Sequence, residues 1–151
     1  MSGIDYYKII FLDIDGVLNS SGTTDLVENI FSLSKLNLLQ DLVLSLGEKT
    51  IIVVISDRRL YKAERDNINK VFNEYKFAYT YLSIERTHKS RSDEIIDFIS
   101  QIKNLEYRFV ILDDIDFGYS KDAKLSSCFC MMGISGLTKE ECEKIKAILL
   151  G

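Results

Sequence analysis

Ile9-Ile10-Phe11-Leu12-Asp13-Ile14-Asp15-Gly16-Val17-Leu18-Asn19 is the stretch from which the rest of the chain is read. An apolar run rich in β-branched residues reads as a buried strand, and here it gives way to two carboxylates and a glycine turn. Residues two apart on an extended chain point to the same side, so Asp13 and Asp15 are expected to converge at the strand's carboxyl end. Like charges held that close repel unless a cation or a shared proton relieves them. An acidic turn after a buried strand is the plainer explanation, because Asp and Gly are common turn residues. The other strand ends discriminate between the two.

Working outward, similar apolar runs at Thr50 to Ile55, Phe77 to Leu82, Tyr107 to Leu112 and Ser127 to Met132 join Lys8 to Leu12 as five buried strands. Helical spacing falls between them, at Leu33 to Leu46 with Gly47 as a stop, Arg59 to Tyr75, Ser92 to Lys103, and from Thr138 onward. Strands that are apolar on both faces and alternate with helices predict a parallel sheet covered on both sides. The expected fold is a doubly wound, Rossmann-like α/β domain over residues 1–151, its five strands in the order 3-2-1-4-5. In such sheets the functional crevice lies at the carboxyl ends of the strands.

With 151 residues, 46% of them apolar, the chain suits one domain with a substantial core. A formal charge of −4 excludes the global basic footprint of duplex-binding proteins, so any nucleic-acid contact is expected to be local. No apolar stretch approaches the ~20 residues that span a bilayer, and the N-terminus lacks the pattern of a secretory signal. Cys128, Cys130 and Cys142 form no paired framework, as expected of reduced thiols. A soluble, cytoplasmic protein is the expectation. Cys128 and Cys130 read as same-face strand residues.

The strand ends, taken in turn, present Asp13 and Asp15, then Ser56-Asp57-Arg58-Arg59, then Asp113-Asp114 with Asp116 close behind. Lys89-Ser90-Arg91-Ser92-Asp93-Glu94 opens the helix before the Asp113 strand, and cations at a helix start oppose the dipole, a hint of another role. These elements resemble the haloacid dehalogenase superfamily of phosphotransferases: a strand ending in DxDG, a strand ending in Ser or Thr, a basic residue opening a helix, and a strand ending in paired acids. The resemblance runs from Lys8 to about Asp116. Within the superfamily, LDIDGVLN, the basic-Ser-Asp-Glu-Ile-Ile helix opening, ILDDIDF and Gly136-Leu137-Thr138 are similar to the small phosphatase domains attached to RNA-repair enzymes. Ser56-Asp57-Arg58 resembles the Ser-x-Arg of the phosphatase half of polynucleotide kinase-phosphatases.

The resemblance implies that Asp13 attacks phosphorus to form an aspartyl-phosphate, while Asp15 protonates the leaving oxygen and then deprotonates water. It implies Mg²⁺ held by Asp13, the main-chain carbonyl of Asp15, and Asp113 or Asp114. Ser56 and Arg91 are the implied phosphate contacts, with Lys89 as the alternative cation and Arg58 as a further phosphate-binding candidate. The superfamily usually has Lys where Arg91 stands, and Asp57 replaces a small uncharged residue. Asp57 is open to pairing with Arg58 or Arg91. Asp114 and Asp116 also read as capping or surface acids, and His88 as a solvated loop residue. Arg58, Lys62 and Arg65 share one helix face and with Arg86, Lys89 and Arg91 form a candidate basic rim.

Neither Asp15 to Ser56 nor Ser56 to Arg91 leaves room for the folded cap that many relatives insert, and an open site favours a large substrate. The expected activity is a Mg²⁺-dependent phosphomonoesterase acting on polynucleotide ends or nucleotides. The alternatives are a phosphatase for another phosphorylated metabolite or protein, or a silent binding protein of the same fold. A receiver-type signalling domain fits poorly, because its acceptor Asp belongs on a central strand with the acidic pair on the first.

Overall fold

The computed structural model describes residues 5–151; the expected domain span of 1–151 therefore includes four residues outside the described ones. Strands β1 (Tyr7–Leu12), β4 (Thr50–Val54), β5 (Tyr79–Tyr81), β6 (Tyr107–Asp113) and β7 (Phe129–Met131) form one parallel sheet in the order β5-β4-β1-β6-β7. Counting only these strands, that is the expected 3-2-1-4-5. A two-residue hairpin, β2 (Leu26–Val27) and β3 (Phe31–Ser32), stands apart from the sheet. It is too short for a sequence periodicity, and its turn holds Glu28 and Asn29 at positive φ.

Alternation along β1 sends Ile10 and Leu12 to one face and Ile9 and Phe11 to the other. On the first face Leu36, Leu39 and Leu42 of α1 (Leu33–Leu46), Val71 and Phe72 of α2 (Lys62–Glu74), and Ile145 and Leu149 of α4 (Lys139–Leu150) complete the core. On the second, Ile95 of α3 (Arg91–Gln101) packs with Tyr119 and Leu125 from the turns after β6. Each fully buried aliphatic side chain contributes about 1.5–3 kcal/mol. Helices thus cover both faces, and no helix of the described residues is long and apolar enough to cross a membrane.

Two local expectations need correction. The segment after Ser56 does not enter a helix at Arg59: Asp57–Leu60 makes a 3-10 turn, and α2 begins at Lys62. Ser56 causes this, its hydroxyl accepting the Arg58 amide at 3.2 Å and tightening the chain at the strand end. Cys128 and Cys130 do not share a strand face, because Cys128 ends the 3-10 turn Ser126–Cys128 and only Cys130 lies in β7. Between Asp15 and Ser56 the described chain holds only the hairpin, α1 and the sheet strand β4, and between Ser56 and Arg91 only the turn, α2 and β5. Neither insertion adds a layer over the strand ends.

Candidate active site

The register of three strands builds the site. Leu12 pairs with Val54 on one side and Leu112 on the other, so β1, β4 and β6 end level. The ladder runs one step further, with the Asp13 amide donating to the Leu112 carbonyl and the Ile55 amide to the Leu12 carbonyl, each at 2.9 Å. Asp13 consequently leaves the sheet between Ser56 and Asp113. Its side chain follows the parity of Ile9 and Phe11 toward the α3 face, where Arg91 begins the helix.

Asp13 is 6% exposed and Asp113 fully buried. Carboxylate oxygens of Asp13, Asp113 and Asp114 all lie within 4.8 Å of one another. Arg91 donates through Nη1 to Asp113 Oδ2 at 3.0 Å and stands 3.8 Å from Asp13 Oδ1. Asp113 is fixed further by the Tyr119 hydroxyl at 2.9 Å and the Ile115 amide at 3.1 Å. Burial and the Asp113 charge push the Asp13 carboxyl up to about 8, against the pull of Arg91. Burial and Asp113 also raise Asp114. Around Arg91, Asp13 and Asp113 outweigh the cost of burial and hold the guanidinium charged. Gly16, at φ +81°, makes this approach possible, since a Cβ there would stand 2.1 Å from Asp114 Oδ2.

Asp15 goes elsewhere. After β1 the chain turns, the Val17 and Leu18 amides both donating to the Ile14 carbonyl, and the Asp15 carboxylate emerges at the cleft mouth. Arg58 grips it bidentately, Nε to Oδ2 at 2.8 Å and Nη2 to Oδ1 at 2.9 Å. Glu64 anchors the third guanidinium nitrogen at 2.8 Å. Asn19 donates to Asp15 at 3.1 Å and to the Ile30 carbonyl at 2.8 Å, and accepts from the Gly16 amide at 3.0 Å. These bonds, the Arg58 pair first, hold the Asp15 carboxyl below the usual carboxylate range. Asp13 and Asp15 share a cleft but not one charge cluster.

The remaining candidates separate clearly. Ser56 is buried and its hydroxyl already accepts from the Arg58 amide, leaving its own proton to donate. Asp57 does pair with Arg91, at 3.2 Å, and also with Arg59 at 3.4 Å. Lys89 is remote from the Asp13 cluster and engages Asp97 instead. Asp116 caps the turn before Tyr119, accepting the Gly118 and Ser120 amides at 3.0 and 3.3 Å. Lys62 pairs with Asp66, and Arg65 donates to the Arg59 carbonyl at 2.7 Å, so neither joins Arg58 in a free basic rim. His88 is exposed.

Asp13, Asp15, Ser56, Asp57, Arg58, Arg91 and Asp114 line a cleft of about 420 Å³, together with Tyr61, Glu64, Ile115 and Phe117. Three clustered carboxylates, one holding its proton tightly because of burial and its neighbour's charge, are a hard-oxygen donor set that fits a small divalent cation such as Mg²⁺.

Sequence reasoning passed over Tyr119, Glu64, Phe117 and Arg59. The Arg91 guanidinium carbon lies 4.3 Å from the centre of the Phe117 ring. Arg59 is almost fully buried and donates to the Ser83 and Ile55 carbonyls at 2.8 Å and to both oxygens of Glu94 at 3.2 Å, tying β4 to α3. No local signal marks Arg59 for burial, whereas Phe117 and Tyr119 stand in sequence directly beyond the acids, a signal that could have found them.

No curated protein and no solved structure matches the chain. The model of the family described as the HAD domain in Swiss Army Knife RNA repair proteins matches residues 9–142, from β1 into α4 and across every residue of the cleft, and the chain belongs to that family.

Proposed function

We propose that the chain, as one domain over residues 1–151 in a cytoplasmic setting, is a Mg²⁺-dependent phosphomonoesterase acting on nucleic-acid ends or nucleotides. The observation that carries this reading is the cluster of Asp13, Asp113 and Asp114 with Arg91 beside it, at the floor of an uncapped cleft. Membership of a family of RNA-repair domains supports the substrate class. Asp13, Asp113 or Asp114, and the Asp15 carbonyl would hold the Mg²⁺, which supplies positive charge that lets an anionic phosphate approach a carboxylate.

Asp13 attacks phosphorus through a carboxylate oxygen, a P–O bond forms, and the bond to the leaving oxygen breaks. Arg91 and the Ser56 hydroxyl steady the charge on the phosphoryl oxygens. Asp15 gives a proton to the leaving oxygen, then takes one from the water that attacks phosphorus and frees Asp13. The pair with Arg58 keeps Asp15 deprotonated, so Asp15 must be released before it can carry that proton. An incoming phosphate competes for the same guanidinium and thereby frees it.

Phosphate release with Mg²⁺ from 3′- and 5′-phosphorylated oligonucleotides, mononucleotides and a phosphopeptide tests the reading. Turnover of the nucleic-acid substrates that falls at least about 10³-fold in Asp13→Asn is the expected result. No turnover of any substrate by folded protein overturns it, and turnover of the phosphopeptide alone replaces the substrate class.

A further inference from the structure

A second cavity of about 240 Å³ adjoins the cleft. Asp57, Arg91 and Phe117 line both, so Arg91 stands at the boundary with one nitrogen toward Asp113 and the other toward Asp57. The two spaces differ in sign. Asp13, Asp15, Asp57, Glu64 and Asp114 in the cleft face only Arg58 and Arg91. Arg59, Arg86, Lys89 and Arg91 in the second cavity face only Asp57 and Glu94. Both of those acids are already held by arginines, Glu94 by Arg59 and Asp57 by Arg59 and Arg91. Lys89 reaches Asp97 in an exposed pair, which is worth little and is readily exchanged. Arg86 is exposed at the same wall.

We infer that the Arg86–Lys89 groove binds the internucleotide phosphate next to the phosphate being removed, so that the site takes the end of a single-stranded polynucleotide in preference to a mononucleotide. The inference rests on the phosphomonoesterase reading for the position of the terminal phosphate. Charge separation orients the strand: only the terminal phosphate meets the carboxylate cluster, while the next phosphate meets Arg86, which forms no ion pair among the described residues, and Lys89, whose exposed pair with Asp97 is readily exchanged. Tyr61 and Phe117 line the cleft and are exposed by 55% and 37%, giving unpaired bases apolar rings to stack on. A chain of net charge −4 has no basic stripe for a long duplex, and a groove of this size serves one or two phosphates.

Binding to Asp13→Asn protein in Mg²⁺ buffer tests this without turnover. Fluorescence anisotropy would compare a phosphorylated mononucleotide, phosphorylated tetranucleotides of ribose and deoxyribose type, and a phosphopeptide of equal charge. The tetranucleotides are expected to bind at least about tenfold more tightly than the mononucleotide, with an affinity that falls as salt rises. Adding Arg86→Ala or, separately, Lys89→Ala is expected to cut that advantage several-fold and reduce the salt slope by about 1. Equal affinity for mono- and tetranucleotide overturns the inference, as does an advantage that survives both substitutions. A phosphopeptide that binds as tightly and is weakened equally overturns the polynucleotide assignment. If the advantage holds while wild-type protein hydrolyses nothing, the groove stands and the hydrolytic reading falls.

Discussion

The inner half of the cleft, around Asp13, and the outer half, around Asp15, hold the same chemical group two residues apart in opposite ways. Asp13 sits in a buried knot with two further carboxylates and a single nearby arginine, and its proton is held tightly, up to about 8. Asp15 is exposed at the mouth, clamped by two guanidinium nitrogens, and loses its proton easily. The divergence is opposite to what the proposed roles need, since Asp13 must be ionised to attack and Asp15 protonated to donate. The inner half sets three carboxylates against the one guanidinium of Arg91, whereas Asp15 in the outer half is matched by Arg58. The proposed mechanism would meet both needs with a cation bound at the inner cluster and displacement of Arg58 from Asp15.

The largest test of this contrast is Asp15→Asn. It is expected to lower kcat by about 10²–10⁴ for an alkyl phosphate and by far less for an aryl phosphate, whose leaving oxygen scarcely needs a proton. Equal losses on both substrates, measured by steady-state phosphate release, would remove Asp15 from proton transfer. Gly16→Ala comes next. A Cβ at φ +81° collides with Asp114, so denaturant melts should show a loss of about 1–3 kcal/mol together with weaker Mg²⁺ affinity.

The pH dependence of stability separates the halves by sign. Asp13 binds its proton more tightly folded than unfolded, so its contribution is complete below about 3.8 and is lost as pH rises toward about 8. Asp15 behaves conversely: its contribution is complete above 3.8 and is lost only at lower pH. Metal-free protein should thus melt at a lower temperature at pH 8 than at pH 5. Asp13→Asn should flatten the slope and raise the pH 8 Tm by about 2–4 °C, and Mg²⁺ should raise the wild-type Tm at the same pH. The smallest effect on stability is expected from Arg58→Gln, under about 1 kcal/mol because its partner Asp15 is exposed and solvent screens the pair. The same substitution should move the Asp15 titration upward in carboxyl-carbon NMR, and an unmoved titration would dismiss the clamp.

Much of the site was legible because its residues sit where strands stop. Asp13, Ser56 and Asp113 each follow an apolar run, and level strand ends bring them together once the sheet order is known. The choice between Arg91 and Lys89 was not legible. Both open the same helix, and only the direction of α3 across the second face puts Arg91 beside Asp113 and Lys89 beside Asp97. Ser-x-Arg marked Arg58 as a candidate, but nothing local marked Arg59 as a buried tie between strand and helix. The 3-10 turn set by Ser56 sends one to Asp15 and buries the other against Glu94.

Five strands, their helical connections and the acids at the strand ends follow from periodicity and strand termination, which are local properties of the chain. The sequence also carried the family. Tertiary structure alone decided that Asp13 and Asp15 part company, that Asp57 is neutralised by arginines, and that an acidic cleft opens into a basic groove. Those outcomes depend on which charges from distant segments arrive within a few ångströms of one another, and Coulomb energies at that range reward placement that no local pattern encodes.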